Sequence, residues 1–147
     1  MIKAELKDKT TVINILRRAF DDNQSVNFIV RNDRKRTQKI MALMAYSWDV
    51  CALFGEVWLT EDKRACALLL FPDQKRTSFK SILHDLRLII QVIGLTGIIK
   101  TLRREAEIKK IQSKERCAYL WFIGVDPSYH NRGYGSSLLK NIILINK

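Results

Sequence analysis

The residues best suited to chemistry lie in one short polar segment, HNRGYGS, at positions 130–136. Gly133 and Gly135 carry no Cβ, so the backbone there can approach a ligand closely and adopt unusual φ angles. A helical pattern of apolar residues begins at Ser136. The first N–H groups of a helix have no partner within the helix and attract anions. The segment therefore predicts a binding loop for a phosphate or a pyrophosphate.

The element in front of this loop is an apolar run, YLWFIGV, at residues 119–125. Aromatic and branched residues dominate it, as they do in buried strands. Asp126 and Pro127 end the strand, because proline cannot donate to a ladder and restricts the residue before it. The predicted order is strand, glycine loop, helix.

Two familiar phosphate motifs do not fit the loop. A P-loop needs a lysine after its last glycine, but Ser136 follows Gly135. A dinucleotide-binding turn needs a third glycine at position 138, where this chain has Leu138.

The loop does match the pattern [QR]-x-x-G-x-[GA] after a strand that ends in V-D-P. His130 stands at the first position, in place of the usual Gln or Arg, and Gly133 and Gly135 supply the glycines. The segment resembles the acetyl-CoA-binding motif of the GNAT superfamily of N-acetyltransferases. The resemblance implies an α/β fold with a mixed sheet and flanking helices, and an enzyme that moves an acetyl group from acetyl-CoA to an amine.

The resemblance also implies which residues touch the cofactor. The strand would contribute contacts to the acyl and pantetheine arm from Ile123, Gly124 and Val125. The loop and helix start would surround the pyrophosphate with Asn131, Arg132, Gly133, Tyr134, Gly135 and Ser136. Arg132 either contacts a phosphate or is solvated, and His130 is interpreted as a loop residue and not as a catalytic base. The transfer needs a base for the amine and an acid, often Tyr in this superfamily, for the thiolate. No residue is assigned to either role.

Two helices and a hairpin are predicted upstream. Residues 2–6 form a short edge strand, Thr10 or Thr11 caps a helix that extends to Phe20, and the state of residues 26–30 is left open. Asn32 or Asp33 caps a second helix. The hairpin pairs residues 56–60 with residues 65–71 through a turn at 61–64, and its second strand is apolar throughout, as in a strand buried on both faces.

Charge marks two segments with competing interpretations. Arg34, Lys35 and Arg36 form a solvated helix end or a nucleic-acid patch. Residues 78–112 form either a helical insertion that walls a substrate site or a membrane-surface helix. His84, in that segment, is a core or surface residue or part of a substrate pocket.

The composition fits a single globular domain at residues 1–147, with 47% hydrophobic and 28% charged residues. The net charge of +11 favours an anionic partner such as coenzyme A, while nucleic acid is disfavoured because no aromatic residues interleave the basic segments.

The three cysteines are interpreted as reduced thiols, at Cys51, Cys66 and Cys117. Because the chain has only two histidines, no metal site is expected. The chain shows no signal peptide, and its longest charge-free run, residues 88–99, is too short to span a membrane. A cytoplasmic location is the expectation.

The resemblance places further strands and a helix after the motif helix, whereas this sequence stops at Lys147. The sequence therefore predicts a fold that is incomplete at the C-terminus, with one edge of the motif strand unpaired. A homodimer that covers this edge is one hypothesis. A non-catalytic CoA-binding or regulatory module and, less favoured, a nucleic-acid-binding protein are the alternative functions.

Overall fold

The computed structural model describes residues 1–30, 32–74 and 118–146. The predictions for residues 78–112, for His84 and for Cys117 lie outside these residues. Within them, the elements in chain order are β1 (Ile2–Lys3), α1 (Lys9–Ala19), α2 (Gln24–Ile29), α3 (Arg36–Phe54), β2 (Gly55–Leu59), β3 (Ala65–Leu70), β4 (Tyr119–Val125) and α4 (Tyr134–Ile145).

The four strands form one sheet in the order β1-β2-β3-β4, and each neighbouring pair is antiparallel. The predicted hairpin is confirmed, with Leu59 opposite Cys66 and a turn at residues 60–64. The motif strand pairs with β3, so that Val125 lies opposite Ala65. β4 is thus an edge of the described sheet.

The sheet lies between two layers of helices, as the burial of β3 on both faces shows. All six of its residues are buried, as predicted for a strand covered on both faces. Its alternate residues Cys66 and Leu68 belong to the core that α1 and α3 share with the sheet. Ala65, Ala67 and Leu69 face the opposite way and pack with α4. The period of two along a strand divides the core in this manner.

A bulge interrupts this alternation in β4 at Trp121. Leu68 lies opposite Phe122 and Leu69 opposite Leu120, so Trp121 has no partner in the β3 register. An extra residue of this kind places two consecutive side chains on one face. Trp121 and Phe122 both pack against the α1 and α3 core. Both rings therefore lie on the same side of the sheet, although strict alternation along β4 would place them on opposite faces.

The N-terminal segment contains two helices, and the first of them begins before its predicted start. α1 begins at Lys9 with Asp8 as its N-cap residue, before Thr10 and Thr11. Residues 26–29 belong to the short helix α2, where Oδ1 of Asn23 accepts from the backbone N–H groups of Ser25 and Val26.

The basic triplet lies at the start of α3, which begins at Arg36. The carboxylate of Asp33 accepts from the N–H of Lys35 and forms a turn in front of the helix, so neither Asn32 nor Asp33 is the cap. The guanidinium of Arg36 donates to Oδ1 of Asn27 at 2.6 Å and to the carbonyl of Asp21. One of the three cations is therefore engaged within the protein.

The last helix, α4, begins at Tyr134, two residues before the predicted start. Only Leu138 and Ile142 of its apolar residues are buried. Leu139, Ile143 and Ile145 are exposed. A helix that packs on one face of a sheet buries a single stripe at spacing four, and the neighbouring apolar residues lie outside that stripe.

Candidate functional site

The glycine loop, residues 126–133, connects β4 to α4 and is ordered by its own side chains. Oδ1 of Asp126 accepts from the N–H of Ser128 at 3.0 Å and starts a short 3₁₀ helix, Pro127–Tyr129. Oδ2 of Asp126 also accepts from Nη1 of Arg18 on α1 at 2.8 Å. The loop is thus fixed at its start by one contact within the loop and one from the helical layer.

The second half of the loop adopts left-handed backbone conformations. Asn131 has φ of 59° and Gly133 has φ of 81°, and α4 follows at once. The N–H of Ser137 already donates to the carbonyl of Gly133 at 2.9 Å. The N–H groups of the three preceding helix residues are in the first turn and have no intrahelical acceptor. Together with left-handed residues in front of it, such a turn forms a concave set of donors suited to an anion.

A cleft of about 470 Å³ opens at this loop, within the size range of small-molecule sites. Residues from both helical layers line it, so the cleft runs along the outer edge of β4, between α1 and α4. The lining residues are Ala19, Phe20, Asn23, Ile123, Gly124, Val125, Tyr129, His130, Asn131, Gly133, Tyr134, Gly135 and Ser136. None of them carries a carboxylate, which is compatible with an anionic ligand.

Eight of the nine residues predicted to touch a cofactor line this one cleft. The exception is Arg132, whose guanidinium lies 5.4 Å from the ring centroid of Tyr129. The motif residues are brought together because they are contiguous in sequence on either side of one loop.

Three cleft residues come from the N-terminal helices and were missed by sequence reasoning. Ala19 and Phe20 lie at the end of α1, and Asn23 caps α2. The ring of Phe20 meets the ring of Phe122 edge to face, with centroids 5.1 Å apart. Asn23 could have been identified as a helix cap from its residue type, but nothing local places it beside a strand about a hundred residues later.

His130 also lines the cleft, and its ring reaches back to the strand. Nε2 lies 3.1 Å from the carbonyl oxygen of Val125. A carbonyl can only accept, so Nε2 carries a proton and donates it. His130 therefore closes the loop onto the end of β4. This contact agrees with its interpretation as a loop residue.

The described residues contain no group of three or more side chains suited to a metal ion. None of the helices in residues 1–30, 32–74 and 118–146 is both long and apolar enough to cross a membrane.

The sequence profile of the acetyltransferase (GNAT) family matches residues 43–144, about two thirds of the chain. The chain belongs to the GNAT acetyltransferase family. The match includes the larger part of α3, the hairpin, β4, the glycine loop and most of α4. It confirms the family that the motif indicated, and it supports acetyl transfer in general.

A solved structure confirms the fold. It is a crystal structure described as a histone acetyltransferase HPA2 and related acetyltransferase from Corynebacterium glutamicum. The two chains share 16% identity with a TM-score of 0.65, over 97% of this chain and 68% of the other. Among curated proteins, none matches this sequence. At this identity the neighbour establishes the fold alone.

Proposed function

We propose that this chain binds acetyl-CoA in the β4 cleft and transfers the acetyl group to an amine. The single observation that carries the proposal is the position of the cleft. It lies along the edge of β4 and ends at the left-handed loop and the first turn of α4. A GNAT chain needs a site of this form for a thioester with a long arm and a pyrophosphate.

The roles of the residues follow from this placement. The N–H groups of Tyr134, Gly135 and Ser136 hold the pyrophosphate, with Asn131 and Gly133 giving the backbone its curvature. Ile123, Gly124 and Val125 lie along the acyl and pantetheine arm, and Arg132 is available to a phosphate at the rim. Acetyl-CoA supplies an activated thioester carbonyl that an amine can attack directly. The acceptor amine must be neutral when it attacks, so a base removes its proton.

The first test is a thermal-shift titration with acetyl-CoA. Binding to the folded state alone stabilises a protein by about 2.7 kcal/mol at a ligand concentration 100 times Kd. Release of coenzyme A thiol in the presence of a panel of amines then measures turnover. No shift at millimolar acetyl-CoA would contradict the proposal.

A matched pair of variants locates the site. Gly133→Val places a β-branched residue at φ of 81°, where only small or Asx residues are tolerated, while Gly133→Asn accepts that conformation. Apart from its chain neighbours, no residue has an atom within 4 Å of a Cβ added at Gly133, so the Cβ itself meets no obstacle in either variant. We expect the valine variant to lose the acetyl-CoA shift and the asparagine variant to keep most of it. A shift that survives in both would mean that the ligand binds elsewhere.

The alternative function, a non-catalytic CoA-binding or regulatory module, gives a different result in the same experiments. It predicts a thermal shift with no thiol release for any amine. A nucleic-acid-binding protein would instead show a salt-dependent DNA mobility shift and no effect of acetyl-CoA on stability.

We also infer a cytoplasmic location and a homodimer. The location is supported by Cys51 and Cys66, which are free buried thiols as in proteins of reducing compartments. The dimer is supported by the outer edge of β4, which pairs with no other strand among the described residues. Light scattering at micromolar concentration tests the dimer, and a stable monomer would contradict it.

A further inference from the structure

The β2–β3 turn, residues 60–64, contacts the loop and helix that border the cleft. The hydroxyl of Tyr134, the first residue of α4, donates to Oδ2 of Asp62 at 2.7 Å. Asp62 and Tyr134 are separated by 72 residues in the chain. Asp62 does not line the cleft, whereas Tyr134 does.

Arg64 makes the second set of contacts from the turn. Its carbonyl accepts from the N–H of Asp126, the first loop residue, at 2.8 Å. Its guanidinium lies 3.9 Å from the ring centroid of Tyr129, a close cation–π contact. Nε of Arg64 is also 3.4 Å from Oδ2 of Asp62. The two turn residues therefore contact the start and the middle of the glycine loop and the first residue of α4.

The turn itself is anchored independently of the loop. Oγ1 of Thr60 accepts from the N–H groups of Arg64 and Ala65, at 3.0 and 3.1 Å. Nζ of Lys63 lies 2.7 Å from Oδ1 of the buried Asp8. An element fixed at both sides in this way can hold a neighbouring loop in one conformation.

The site that we assigned to the pyrophosphate depends on where the first N–H groups of α4 point. Tyr134 is the first of these residues, and Tyr129 ends the 3₁₀ helix of the loop. The two rings meet edge to face, with centroids 6.2 Å apart. The rings therefore flank the first N–H groups of α4, and loss of a contact that holds either ring allows these donors to shift. In enzyme sites a misplacement of about 1 Å can cost about a hundredfold in rate.

We propose that Asp62 and Arg64 are positioning residues for coenzyme A. Through their contacts with Tyr134 and Tyr129, they orient the first turn of α4 toward the pyrophosphate. This inference rests on the proposed function and adds a second element, the β2–β3 turn, to the determinants of cofactor affinity.

The Asp62–Tyr134 contact persists over the working pH range. The hydrogen bond from Tyr134 holds the pKa of Asp62 below its ordinary value of 3.8, and it raises the pKa of Tyr134 above its ordinary value of 10.0. The stabilisation that the Asp62 carboxylate gives to the fold through this contact is complete above pH 3.8 and is lost as the pH falls through the lowered pKa. The stabilisation that the Tyr134 phenol gives is complete below pH 10.0 and is lost as the pH rises through the raised pKa. Binding can therefore be compared at pH 7 with the contact intact.

The experiment compares acetyl-CoA with acetyl-pantetheine, which lacks the pyrophosphate. The variants are Asp62→Ala, Tyr134→Phe and the double variant, with Glu61→Ala as the matched control. Glu61 is a carboxylate of the same turn, and its partner is the N-terminal ammonium group at 3.1 Å. We expect both single variants to raise Kd for acetyl-CoA about three- to tenfold, the scale of one ordinary hydrogen bond, because the contact is exposed to solvent. The double variant adds little to either single one, and Glu61→Ala binds as the wild type does.

A second measurement does not depend on the truncated ligand. Hydrogen exchange of the backbone amides at residues 133–137 in the free protein should be faster in Asp62→Ala and Tyr134→Phe and unchanged in Glu61→Ala.

The outcomes separate the two proposals. A wild-type protein that does not bind acetyl-CoA contradicts the proposed function. Wild-type binding that both single variants retain in full overturns the positioning role and leaves the proposed function intact. An equal loss of acetyl-CoA and acetyl-pantetheine affinity also overturns it, because that result indicates a general structural defect. A loss confined to acetyl-CoA, together with faster exchange at 133–137, supports it.

Discussion

Gly124, Gly133 and Gly135 lie within twelve residues of one another and meet three different physical requirements. A Cβ at Gly124 would lie 2.9 Å from Cδ2 of Leu16, so this glycine allows α1 to approach β4. Gly133 supplies the left-handed backbone of the loop. A Cβ at Gly135 would lie 3.4 Å from Cγ2 of Val125, which is tolerable. At the residue scale, an added Cβ would therefore crowd a core side chain at Gly124, whereas at Gly133 and Gly135 it would meet no such obstacle.

Alanine at Gly124 should lower the stability of the fold, whereas alanine at Gly135 should weaken acetyl-CoA binding. Gly124→Ala overpacks the contact with Leu16 and should lower the free energy of unfolding by about 1–3 kcal/mol. Gly135→Ala replaces a helical glycine and should keep the wild-type Tm, while its methyl group hinders the approach of the pyrophosphate to the backbone. Chemical denaturation and acetyl-CoA titration of both variants check the prediction. A Gly135→Ala variant that is unstable, or that binds as tightly as the wild type, would contradict it.

The two described cysteines should be unreactive in the folded protein. Burial raises the pKa of Cys51 to about 12, and burial also raises the pKa of Cys66. A thiolate is the reactive species, so little of either forms at pH 8. Peptide-resolved mass spectrometry after iodoacetamide treatment should show no label at Cys51 or Cys66 in native protein and full label in denaturant. Rapid native labelling of either would show that its surroundings open.

At the scale of elements, the junction of α3 and β2 connects the helical layer directly to the sheet. Phe54 ends the helix, Gly55 starts the strand, and no loop intervenes. Gly55 lies opposite Leu70 in the ladder, and the carbonyl oxygen of Leu69 would be 2.0 Å from a Cβ at Gly55. The backbone of β3 thus occupies the space that any other side chain would need.

Gly55→Ala should therefore destabilise the fold more than Gly124→Ala does. The obstructing atom at Gly55 belongs to the backbone of the central strand, whereas at Gly124 it is the end of a side chain. A loss above the usual overpacking cost of about 1–3 kcal/mol is expected. Urea denaturation of the two variants side by side gives the comparison, and an equal or smaller loss for Gly55→Ala would contradict the assignment.

At the scale of the whole molecule, ion pairs join segments that are distant in sequence. Asp8, at the start of α1, is 3% exposed and pairs with Lys63 of the β2–β3 turn. Arg18 of α1 pairs with Asp126 of the glycine loop. The N-terminal helix is thus attached to the glycine loop, which borders the cleft, and to the β2–β3 turn, which contacts that loop.

The Asp8 contact should make stability depend on acidic pH. The hydrogen bond from Lys63 holds the pKa of Asp8 below its ordinary value of 3.8. The contribution of the Asp8 carboxylate to the free energy of unfolding is complete above pH 3.8 and is lost as the pH falls through the lowered pKa. Asp8→Asn should lower Tm at pH 7, and the difference from the wild type should shrink as the pH falls below 3.8 and the native carboxyl becomes protonated.

Asp22→Asn is the control, because Asp22 is exposed and takes part in none of the ion pairs among the described residues. It should leave Tm nearly unchanged at both pH values. A constant Tm difference between Asp8→Asn and the wild type across the pH range would show that packing, and not charge, explains the effect.

The sequence by itself determined the features that depend on neighbouring residues. β4, its stop at Asp126 and the glycine loop follow from residue types at fixed offsets, and the hairpin follows from two apolar runs around a polar turn. These signals were sufficient to indicate the family, and most predicted site residues share one cleft because they are adjacent in the chain.

The tertiary structure alone decided which distant segments complete the site. The bulge at Trp121, the position of Phe20 and Asn23 beside β4, and the contact between Asp62 and Tyr134 have no local signal. Periodicity reports which face of an element is apolar, but not which other element covers it. Contacts across many residues depend on how the helices and the sheet pack, and those contacts set the shape of the cleft.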